Sequence, residues 1–417
     1  MVWPSGMTGR TYDDRTMVVA SSSVRAGLSV LGLDAELAAT CVSCGLCLPH
    51  CPTFRVTGEE RYSPRGRIDA MRAVDRGELA VDDDFVDFVE TCVQCRGCET
   101  ACPSGVQFGA LMEETRTALA ADGRITPWWQ RIGFRVLPHH RLLLAGSTAI
   151  AVGQRLRLVP KRFGVPPLPL RRAPSVEATG DDVWLFTRCV MDAWQRETHR
   201  NTAALIALTG ATVAVPGSGG GCCGALHVHA GLHGDAVALA ERVMASMPGT
   251  APILVNSAGC GASMKDYGTL VDTDEARRFS ARVLDISEWL TERLDQLPVA
   301  SGHRPAVIVQ DPCHLRHVQR AHEPVRALLG HVADVVELDD EGLCCGAGGA
   351  YSALQPELAG EIRDRKVAAI GRAAEGSAAV SVASANPGCS MHLAAVLDLP
   401  VRHPVDIVAE ALGVAGR

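Results

Sequence analysis

The sequence predicts an α/β protein whose N-terminal part is entirely helical. Two observations concern cysteine spacing: the run C-x2-C-x2-C-x3-C-P occurs twice before residue 104, and a C…CCG…GC pattern occurs twice after residue 180. The third is periodicity, because helical spacing dominates the first part, whereas buried strand-like runs alternate with helical stretches around the second pattern. Together they predict a helical cysteine-rich domain followed by one α/β unit present in two copies.

Bulk properties exclude several classes of protein. A chain of 417 residues with 47% hydrophobic residues is expected to form several soluble domains, and its net charge of −7 gives no reason to expect a nucleic-acid partner. The N-terminal segment carries Asp13 and Asp14 and has no apolar signal region, and no stretch reaches the ~20 apolar residues that span a bilayer. We therefore expect a cytoplasmic protein, peripheral on the inner face of the membrane if it contacts lipid. Its sixteen cysteines then remain reduced and available to metal.

Composition shifts divide the chain into five segments. Residues 1–27 are predicted to form a flexible tail, and residues 28–125 a helical domain that holds both C-x2-C-x2-C-x3-C runs. Residues 126–179 are interpreted as a basic, Pro-rich linker. The two domains that carry the CCG pattern, called the first and second CCG domains below, occupy residues 180–299 and 300–417.

The N-terminal domain is predicted to be built from helices rather than from a compact β-hairpin. The 40 residues between its two cysteine runs carry helical patterns. Ile68, Met71 and Val74 share one helical face. Phe85 and Val89 share the face of a second helix that leads into the second run.

The eight cysteines of this domain have the spacing that holds two [4Fe–4S] clusters, which predicts an α-helical two-cluster ferredoxin domain. In two-cluster ferredoxins, the fourth cysteine of each run binds the other cluster. The first cluster is therefore assigned to Cys41, Cys44, Cys47 and Cys102. The second is assigned to Cys92, Cys95, Cys98 and Cys51. Zinc is the alternative, but zinc sites favour paired C-x2-C units over four-cysteine runs that end in proline.

The linker region is strongly basic. Residues 123–176 contain ten Arg or Lys and no acid, and they include the apolar run 142–153. This run is too short to span a membrane, but it suits a helix that rests on anionic lipid. A linker that wraps the ferredoxin domain, or that docks on an acidic partner, is the alternative.

From residue 180 the chain repeats itself. Segments 183–189 and 306–313 each resemble a buried strand that ends on a cysteine. Cys313 follows Cys189 by 124 residues, and the other landmarks recur at similar distances, so we interpret the region as one duplicated α/β unit. Such units predict parallel sheets with right-handed crossovers, in which the carboxyl ends of the strands carry the site.

Each copy offers four thiols at predicted strand ends, where they can converge. They are Cys189, Cys222, Cys223 and Cys260 in the first copy, and Cys313, Cys344, Cys345 and Cys389 in the second. Glycines beside the cysteine pairs let the backbone bend so that adjacent thiolates reach one site. A third iron–sulfur cluster and zinc both suit four thiolates, and which copy holds a cluster stays open. No dinucleotide fingerprint or flavin motif is evident, so no hydride-transfer site is predicted.

These motifs resemble those of the heterodisulfide-reductase-related superfamily, and within it those of the iron–sulfur subunits of bacterial glycolate oxidases. The matching text in the ferredoxin domain is CVSCGLCLPHCPTF, PRGRI and CVQCRGCETACPSGV. In the CCG domains it is GCCGALHVH, SAGCGASMKDYG, CCGAGGAYSALQPELAGEIRDRK and NPGCSMHLA. The resemblance runs from about residue 35 to the C-terminus and covers some nine tenths of the chain.

The resemblance implies an electron-transfer subunit with no catalytic residue of its own. Flavoprotein partner subunits, which carry the FAD, would oxidise glycolate to glyoxylate. This chain would receive the electrons and pass them towards a quinone or another membrane acceptor. Related complexes serve D-lactate or glycerol 3-phosphate, and the sequence separates these substrates only by overall similarity.

One departure from the superfamily bears on a second hypothesis, thiol–disulfide reduction at the CCG repeats. The catalytic subunit of heterodisulfide reductase ends each CCG motif in C-x-x-C, which supplies five thiolates to a non-cubane [4Fe–4S] cluster. Here Ser263 and His392 occupy the last positions. Each repeat therefore offers four thiolates, which weakens this hypothesis. A third hypothesis, a non-catalytic zinc-binding scaffold, is disfavoured by the two intact ferredoxin runs.

Overall fold

The computed structural model describes residues 30–159, 167–217, 219–300 and 302–416. The segment expected to be a flexible tail, 1–27, lies outside the described residues, as does part of the linker. The predicted fold class is confirmed: a helical N-terminal region precedes two α/β domains with parallel sheets.

Short helices joined by turns build the ferredoxin domain. They are α1 (Ala35–Ala39), α2 (Pro52–Thr57), α3 (Pro64–Asp75), α4 (Asp83–Glu90), α5 (Gly97–Thr100) and α6 (Phe108–Ala121). The apolar face of α3, with Met71 fully buried, packs against the face of α4 that carries Phe85 and Val89. Burying each such side chain contributes about 1.5–3 kcal/mol. The Asp82 carboxylate starts α4 by accepting the Phe85 N–H at 2.9 Å.

Two helices occupy most of the described linker, α7 (Trp128–Val136) and α8 (His140–Arg155). Phe134 of α7 packs against Leu232 of the first CCG domain. Trp194 of the same domain fixes α8, because its indole N–H donates to Ser147 Oγ at 2.9 Å. The linker is thus a helical layer on the first CCG domain. Across the described ranges, no helix combines the length and apolar character needed to cross a bilayer.

Each CCG domain contains a four-stranded sheet in which every pairing is parallel. The strand orders are β2-β1-β3-β4 and β6-β5-β7-β8, so the two sheets have the same topology, as the duplication predicts. The strands are β1 (Val183–Leu185), β2 (Val213–Ala214), β3 (Ile253–Val255), β4 (Val283–Asp285), β5 (Ala306–Val309), β6 (Asp334–Val336), β7 (Ala379–Ala383) and β8 (Val401–Arg402).

Helices cover both faces of these sheets. Those of the first domain are α9 (Cys189–Trp194), α10 (Arg196–Leu208), α11 (Ala225–His229), α12 (His233–Ser246), α13 (Ala258–Lys265), α14 (Tyr267–Leu270), α15 (Asp274–Ser280) and α16 (Ile286–Thr291). Those of the second are a π-helix (His314–Gln319), α17 (His322–Gly330), α18 (Tyr351–Leu354), α19 (Pro356–Glu375), α20 (Pro387–Ala394) and α21 (Pro404–Ala411). The duplication is therefore inexact, since a π-helix follows β5 where α9 follows β1.

The two CCG domains share one hydrophobic core, in which Leu185 of β1 and Val307 of β5 belong to the same cluster. Helix α10 packs against α21, and α16 packs against α17. At the carboxyl ends of β3 and β7, the Ala258 N–H donates to the Ala385 carbonyl at 3.0 Å. This contact brings the two strand ends that lead to Cys260 and Cys389 to one place.

Candidate iron–sulfur sites

The cysteines assigned to the first cluster gather near the surface of the ferredoxin domain. They line one hollow and are Cys41, Cys44 and Cys47 from the first run and Cys102 from the second. Cys44 is exposed, and the other three are half-buried. Gly45 leaves room for this arrangement, because it has φ +84° and a Cβ there would lie 2.7 Å from Arg65 Nη1.

The cysteines assigned to the second cluster line a separate hollow, and all of them are buried. They are Cys92, Cys95 and Cys98 from the second run and Cys51 from the first. Burial, together with the neighbouring thiols, raises the pKa of Cys98 well above its ordinary value. Iron suits such a site, because it binds cysteine in the thiolate form and would replace the protons of these closely spaced thiols.

Arg67 is a residue of this site that spacing alone does not reveal. Its side chain is 1% exposed, and Nε donates to the Phe88 carbonyl at 2.6 Å. Nη1 lies 4.0 Å from Cys51 Sγ, and Nη2 donates to Thr91 Oγ1 at 3.2 Å. A buried guanidinium beside the sulfur favours negative charge on whatever the cysteines hold.

In the first CCG domain, the four cysteines meet at the switch point of the sheet. Cys189 follows β1 and Cys260 belongs to α13 after β3, which are the neighbouring strands where strand order reverses. Cys189 Sγ lies 4.0 Å from Cys222 Sγ. Hydrogen bonding to Cys222 and then to Cys260 raises the pKa of Cys223, and hydrogen bonding to Cys223 lowers the pKa of Cys260. Cys189 adopts φ +66°, a strained conformation for a residue with a Cβ.

The second CCG domain repeats this arrangement with tighter packing. Cys345 Sγ lies 3.0 Å from Cys389 Sγ, and hydrogen bonding to Cys344 lowers the pKa of Cys313. His314 Nδ1 lies 3.6 Å from Cys313 Sγ. A π-helix begins at this histidine, and single π-turns are frequent at functional sites.

The glycine after each cysteine pair has the steric role that its position predicts. Gly224 has φ +82° and Gly346 has φ +84°. A Cβ on Gly346 would lie 2.6 Å from the Ala359 carbonyl oxygen. A side chain at this position would therefore be strained by the backbone and would also collide with α19.

The second cluster site and the second CCG site touch directly. Cys95 lies within hydrogen-bonding reach of Cys344, which contributes to the raised pKa of Cys344. Val93, Cys95, Cys313 and Cys344 belong to one buried cluster. The two CCG sites are linked as well, since Asn386 accepts the Gly259 N–H at 3.1 Å and its amide donates to Cys389 Sγ at 3.6 Å.

Ser263 and His392 occupy the positions where a fifth cysteine would stand in each repeat. They place a hydroxyl and an imidazole there instead of a thiol. Ser263 Oγ donates to the Cys223 carbonyl at 3.2 Å, and Tyr267 OH donates to the same carbonyl at 2.8 Å. His392 Nε2 lies 3.2 Å from the Ala359 carbonyl oxygen. Ser263 therefore braces the backbone of the first cysteine pair, whereas His392 contacts α19.

All sixteen cysteines are free thiols. Within the described part of the chain, no three His, Cys, Asp or Glu side chains are gathered around a point that would hold a single metal ion. A zinc ion needs its sulfur ligands within about 2.3 Å. Four thiolates in each CCG domain are the donor set that both an iron–sulfur cluster and a zinc ion take.

Comparison with known proteins agrees with this donor chemistry. The 4Fe-4S dicluster domain family matches residues 37–106. The cysteine-rich domain family, CCG, matches residues 183–265 and again residues 307–394. These matches cover the ferredoxin domain and both α/β domains separately.

Curated relatives match nearly the whole chain. The probable glycolate oxidase iron–sulfur subunit of Bacillus subtilis is 30% identical over 89% of this chain and 94% of the relative. The glycolate oxidase iron–sulfur subunit of Escherichia coli is 30% identical over 94% of this chain and 98% of the relative. One of the subunits of the dihydromethanophenazine:CoB–CoM heterodisulfide reductase of Methanosarcina barkeri is 28% identical over 90% of this chain and 94% of the relative.

Proposed function

Because this chain belongs to the family of glycolate oxidase iron–sulfur subunits, we propose that it is the electron-transfer subunit of a complex that oxidises glycolate to glyoxylate. Flavoprotein partner subunits carry the FAD and perform the hydride chemistry. This chain takes the electrons from the flavin one at a time and delivers them towards a quinone in the membrane. D-Lactate and glycerol 3-phosphate are the competing substrates of the partner.

The observation that carries this proposal is the unbroken series of cysteine sites. It begins at the exposed Cys44 and continues inward to the buried second cluster site. It passes to the second CCG site where Cys95 meets Cys344. A protein whose cysteine sites lie in mutual contact from its surface to its interior suits electron conduction rather than a scaffold role.

The cysteines have distinct roles in this proposal. The eight in the ferredoxin domain hold two [4Fe–4S] clusters with the crossed ligand pattern. The four of the second CCG domain hold a third iron–sulfur centre, since among the described residues this set packs against a ferredoxin cysteine, Cys95. The four of the first CCG domain hold a further centre or a structural metal ion.

The exposed apolar side of the linker supports contact with the membrane. We call it the α7–α8 face, and it comprises Trp128, Trp129, Ile132, Leu142, Ala145, Ala149, Val152 and Leu156, all of them exposed. On α8 these residues recur every three or four positions, so they share one side of the helix. Residues 123–176 carry ten basic residues and no acid. An apolar helical face within such a basic stretch is suited to the surface of an anionic bilayer.

The experiment that tests the proposal uses the chain co-purified with its flavoprotein partners without oxygen. Glycolate is expected to bleach the visible absorbance of the clusters within the complex. The isolated chain, loaded with clusters, is the control and is expected to remain oxidised when glycolate is added.

Two other results would overturn the proposal. One is faster bleaching by D-lactate or glycerol 3-phosphate than by glycolate, which would reassign the substrate. The other is glycolate oxidation by the isolated chain, which would place the chemistry here rather than in a flavoprotein. Stoichiometric reduction of a disulfide by the reduced chain would instead favour the thiol–disulfide reductase hypothesis.

A further inference from the structure

A cavity of about 550 Å³ lies where the ferredoxin domain meets both CCG domains. Helix α6 forms one wall, α11 and α13 of the first CCG domain form another, and the π-helix of the second CCG domain contributes His314. Its apolar lining includes Met112, Val228 and Leu270. The cavity belongs to none of the four cysteine sets.

The cavity nevertheless adjoins three of those four sets. Three of its lining residues are chain neighbours of cysteines from three different sets: Arg96 beside Cys95, His314 beside Cys313, and Gly259 beside Cys260. A molecule bound in it therefore lies next to the centres that these cysteines hold. Electrons can therefore pass from these centres to such a molecule without another cofactor between them.

Two of the titratable side chains that line the cavity, Glu113 and His229, have no hydrogen-bond or ion-pair partner within the described residues. Within the described residues, no hydrogen bond or ion pair reaches the Glu113 carboxylate or the ring nitrogens of His229. The His229 ring is held by stacking on His314, with ring centroids 5.4 Å apart. In contrast, the Arg96 guanidinium forms ion pairs with Glu99 at 2.9 Å and with Asp266 at 2.8 Å. Glu113 and His229 are thus available to a ligand.

The protonation of Glu113 suits proton donation near neutral pH. Burial raises the pKa of its carboxyl to about 7. Arg96 and His314 act in the opposite direction, whereas Asp266 and Glu99 raise the pKa further. A carboxyl whose pKa lies near the working pH is both protonated and able to release the proton.

His229 stays neutral under the same conditions. Burial lowers the pKa of its imidazole well below the usual range, and the nearby His314, Arg116 and Arg96 lower it further. A neutral imidazole donates a proton through one nitrogen while it accepts one through the other. It can therefore relay protons from water in the cavity mouth.

We propose that this cavity binds a quinone-class acceptor and is the place where it is reduced to quinol. The inference rests on the proposed function, which supplies the electrons. The apolar wall packs against the flat ring, and Glu113 and His229 face the two carbonyl oxygens. The cysteine-bound centres around the cavity supply the electrons.

The electrons and protons that this reduction needs are supplied by the cysteine-bound centres and by the side chains that line the cavity. The quinone takes up two electrons, which arrive singly, and two protons, so that each C=O becomes C–OH. Glu113 transfers its proton to one oxygen and is reprotonated from solvent. His229 transfers its N–H proton to the other oxygen while its second nitrogen takes a proton from water. No other bond breaks.

The test uses the cluster-loaded chain purified without oxygen and reduced chemically with dithionite, so that the flavoprotein is not needed. The reduced chain is mixed with menadione or with ferricyanide, and reoxidation of the clusters is followed by their visible absorbance. Ferricyanide takes single electrons and no protons. In Glu113→Gln, the ratio of the menadione rate to the ferricyanide rate is expected to fall about a hundredfold. The menadione rate of the unmodified chain is expected to fall as pH rises through about 7, whereas the ferricyanide rate stays level.

A matched variant and a labelling experiment complete the test. Glu114→Gln makes the same change on the next residue, whose carboxylate accepts the Asp34 N–H at 3.3 Å, and the ratio is expected to hold. An azido-quinone is expected to label peptides of α6 and α11, and Val228→Phe, which fills the cavity, is expected to abolish that labelling. An unchanged ratio in Glu113→Gln, or labelling confined to the α7–α8 face, would overturn the inference. Failure of glycolate to reduce the complex would count against the proposed function alone.

Discussion

The thiol of Cys95, in the second ferredoxin run, reaches the thiol of Cys344, in the CCG pair of the second repeat. No such contact links the described ferredoxin cysteines to the first repeat, whose Cys189 and Cys222 pack with Leu239 instead. The two repeats share a topology but differ in their position relative to the ferredoxin cysteines. The second is adjacent to the buried cluster site, and the first lies beyond it.

This asymmetry predicts different outcomes for the same substitution in the two repeats. Cys344→Ser is expected to remove the centre of the second repeat, and with it about four irons per chain. Electron paramagnetic resonance of the fully reduced protein should then lose the spin–spin coupling between that centre and the second ferredoxin cluster. Cys223→Ser, the matched change in the first repeat, should leave the coupling in place. Coupling that survives Cys344→Ser would contradict this assignment.

Arg67 is predicted to set the potential of the second ferredoxin cluster. Arg67→Met removes a buried positive charge beside Cys51, so the reduced cluster should be harder to form. A unit charge roughly 6 Å away at an effective dielectric of 20 contributes about 3 kcal/mol, on the order of 100 mV towards negative potential. A potentiometric titration followed by electron paramagnetic resonance measures the shift.

Two further variants separate charge from packing at this position. Arg67→Lys keeps the charge but loses the bonds to Phe88 and Thr91, so the potential should change little while the protein loses about 1–3 kcal/mol of stability. Arg65→Met, beside the first cluster site, should leave the second potential unchanged. A shift confined to the first cluster would refute the role given to Arg67.

The sequence was sufficient for the features that depend on local spacing. Cysteine spacing predicts two cluster sites, which stays a prediction; in the structure, Cys51 lines one hollow with the second run and Cys102 lines another with the first. Strand periodicity and the duplication predicted two parallel sheets of equal strand order. The sheets follow from local strand periodicity and from the comparison of one repeat with the other, whereas the crossed cysteine assignment follows from the known ligand pattern of two-cluster ferredoxins.

Features that depend on how the domains pack could not be predicted in this way. Lys366 resembles an ordinary surface charge of a long helix, yet its side chain is fully buried and its Nζ lies 2.5 Å from Asp340 Oδ2. Glu113 is one of two adjacent glutamates on α6, and only the domains packed around it distinguish it from Glu114. The contact between Cys95 and Cys344 joins residues almost 250 positions apart.

Asp285 predicts how the stability of the first CCG domain responds to pH. Its carboxylate accepts the Ser287 N–H at 2.8 Å at the start of α16, and burial raises its pKa to about 7. Between about pH 4 and pH 7, the folded protein therefore holds a proton that the unfolded chain has lost. Stability should fall as pH rises through this window and should level off above it.

Asp285→Asn keeps an oxygen to cap α16 but cannot ionise. It should flatten the pH dependence by about 2–4 kcal/mol across the window, as measured by denaturant unfolding of the cluster-loaded protein between pH 5 and 8. Asp82→Asn, at the exposed start of α4, is the matched control and should leave the slope unchanged. An identical slope in Asp285→Asn would show that the carboxyl does not titrate in this window.

The α7–α8 face predicts binding to anionic membranes. Leu142→Asp combined with Val152→Asp places two charges on the apolar side of α8, where each side chain is exposed and supports no core packing. The unmodified protein should float with vesicles that contain anionic lipid and should dissociate as salt screens the basic residues. The double variant should remain unbound.

Leu79→Asp, an equally exposed site in the ferredoxin domain, should bind like the unmodified protein. Equal binding to neutral vesicles, or retention by the double variant, would show that another surface meets the membrane.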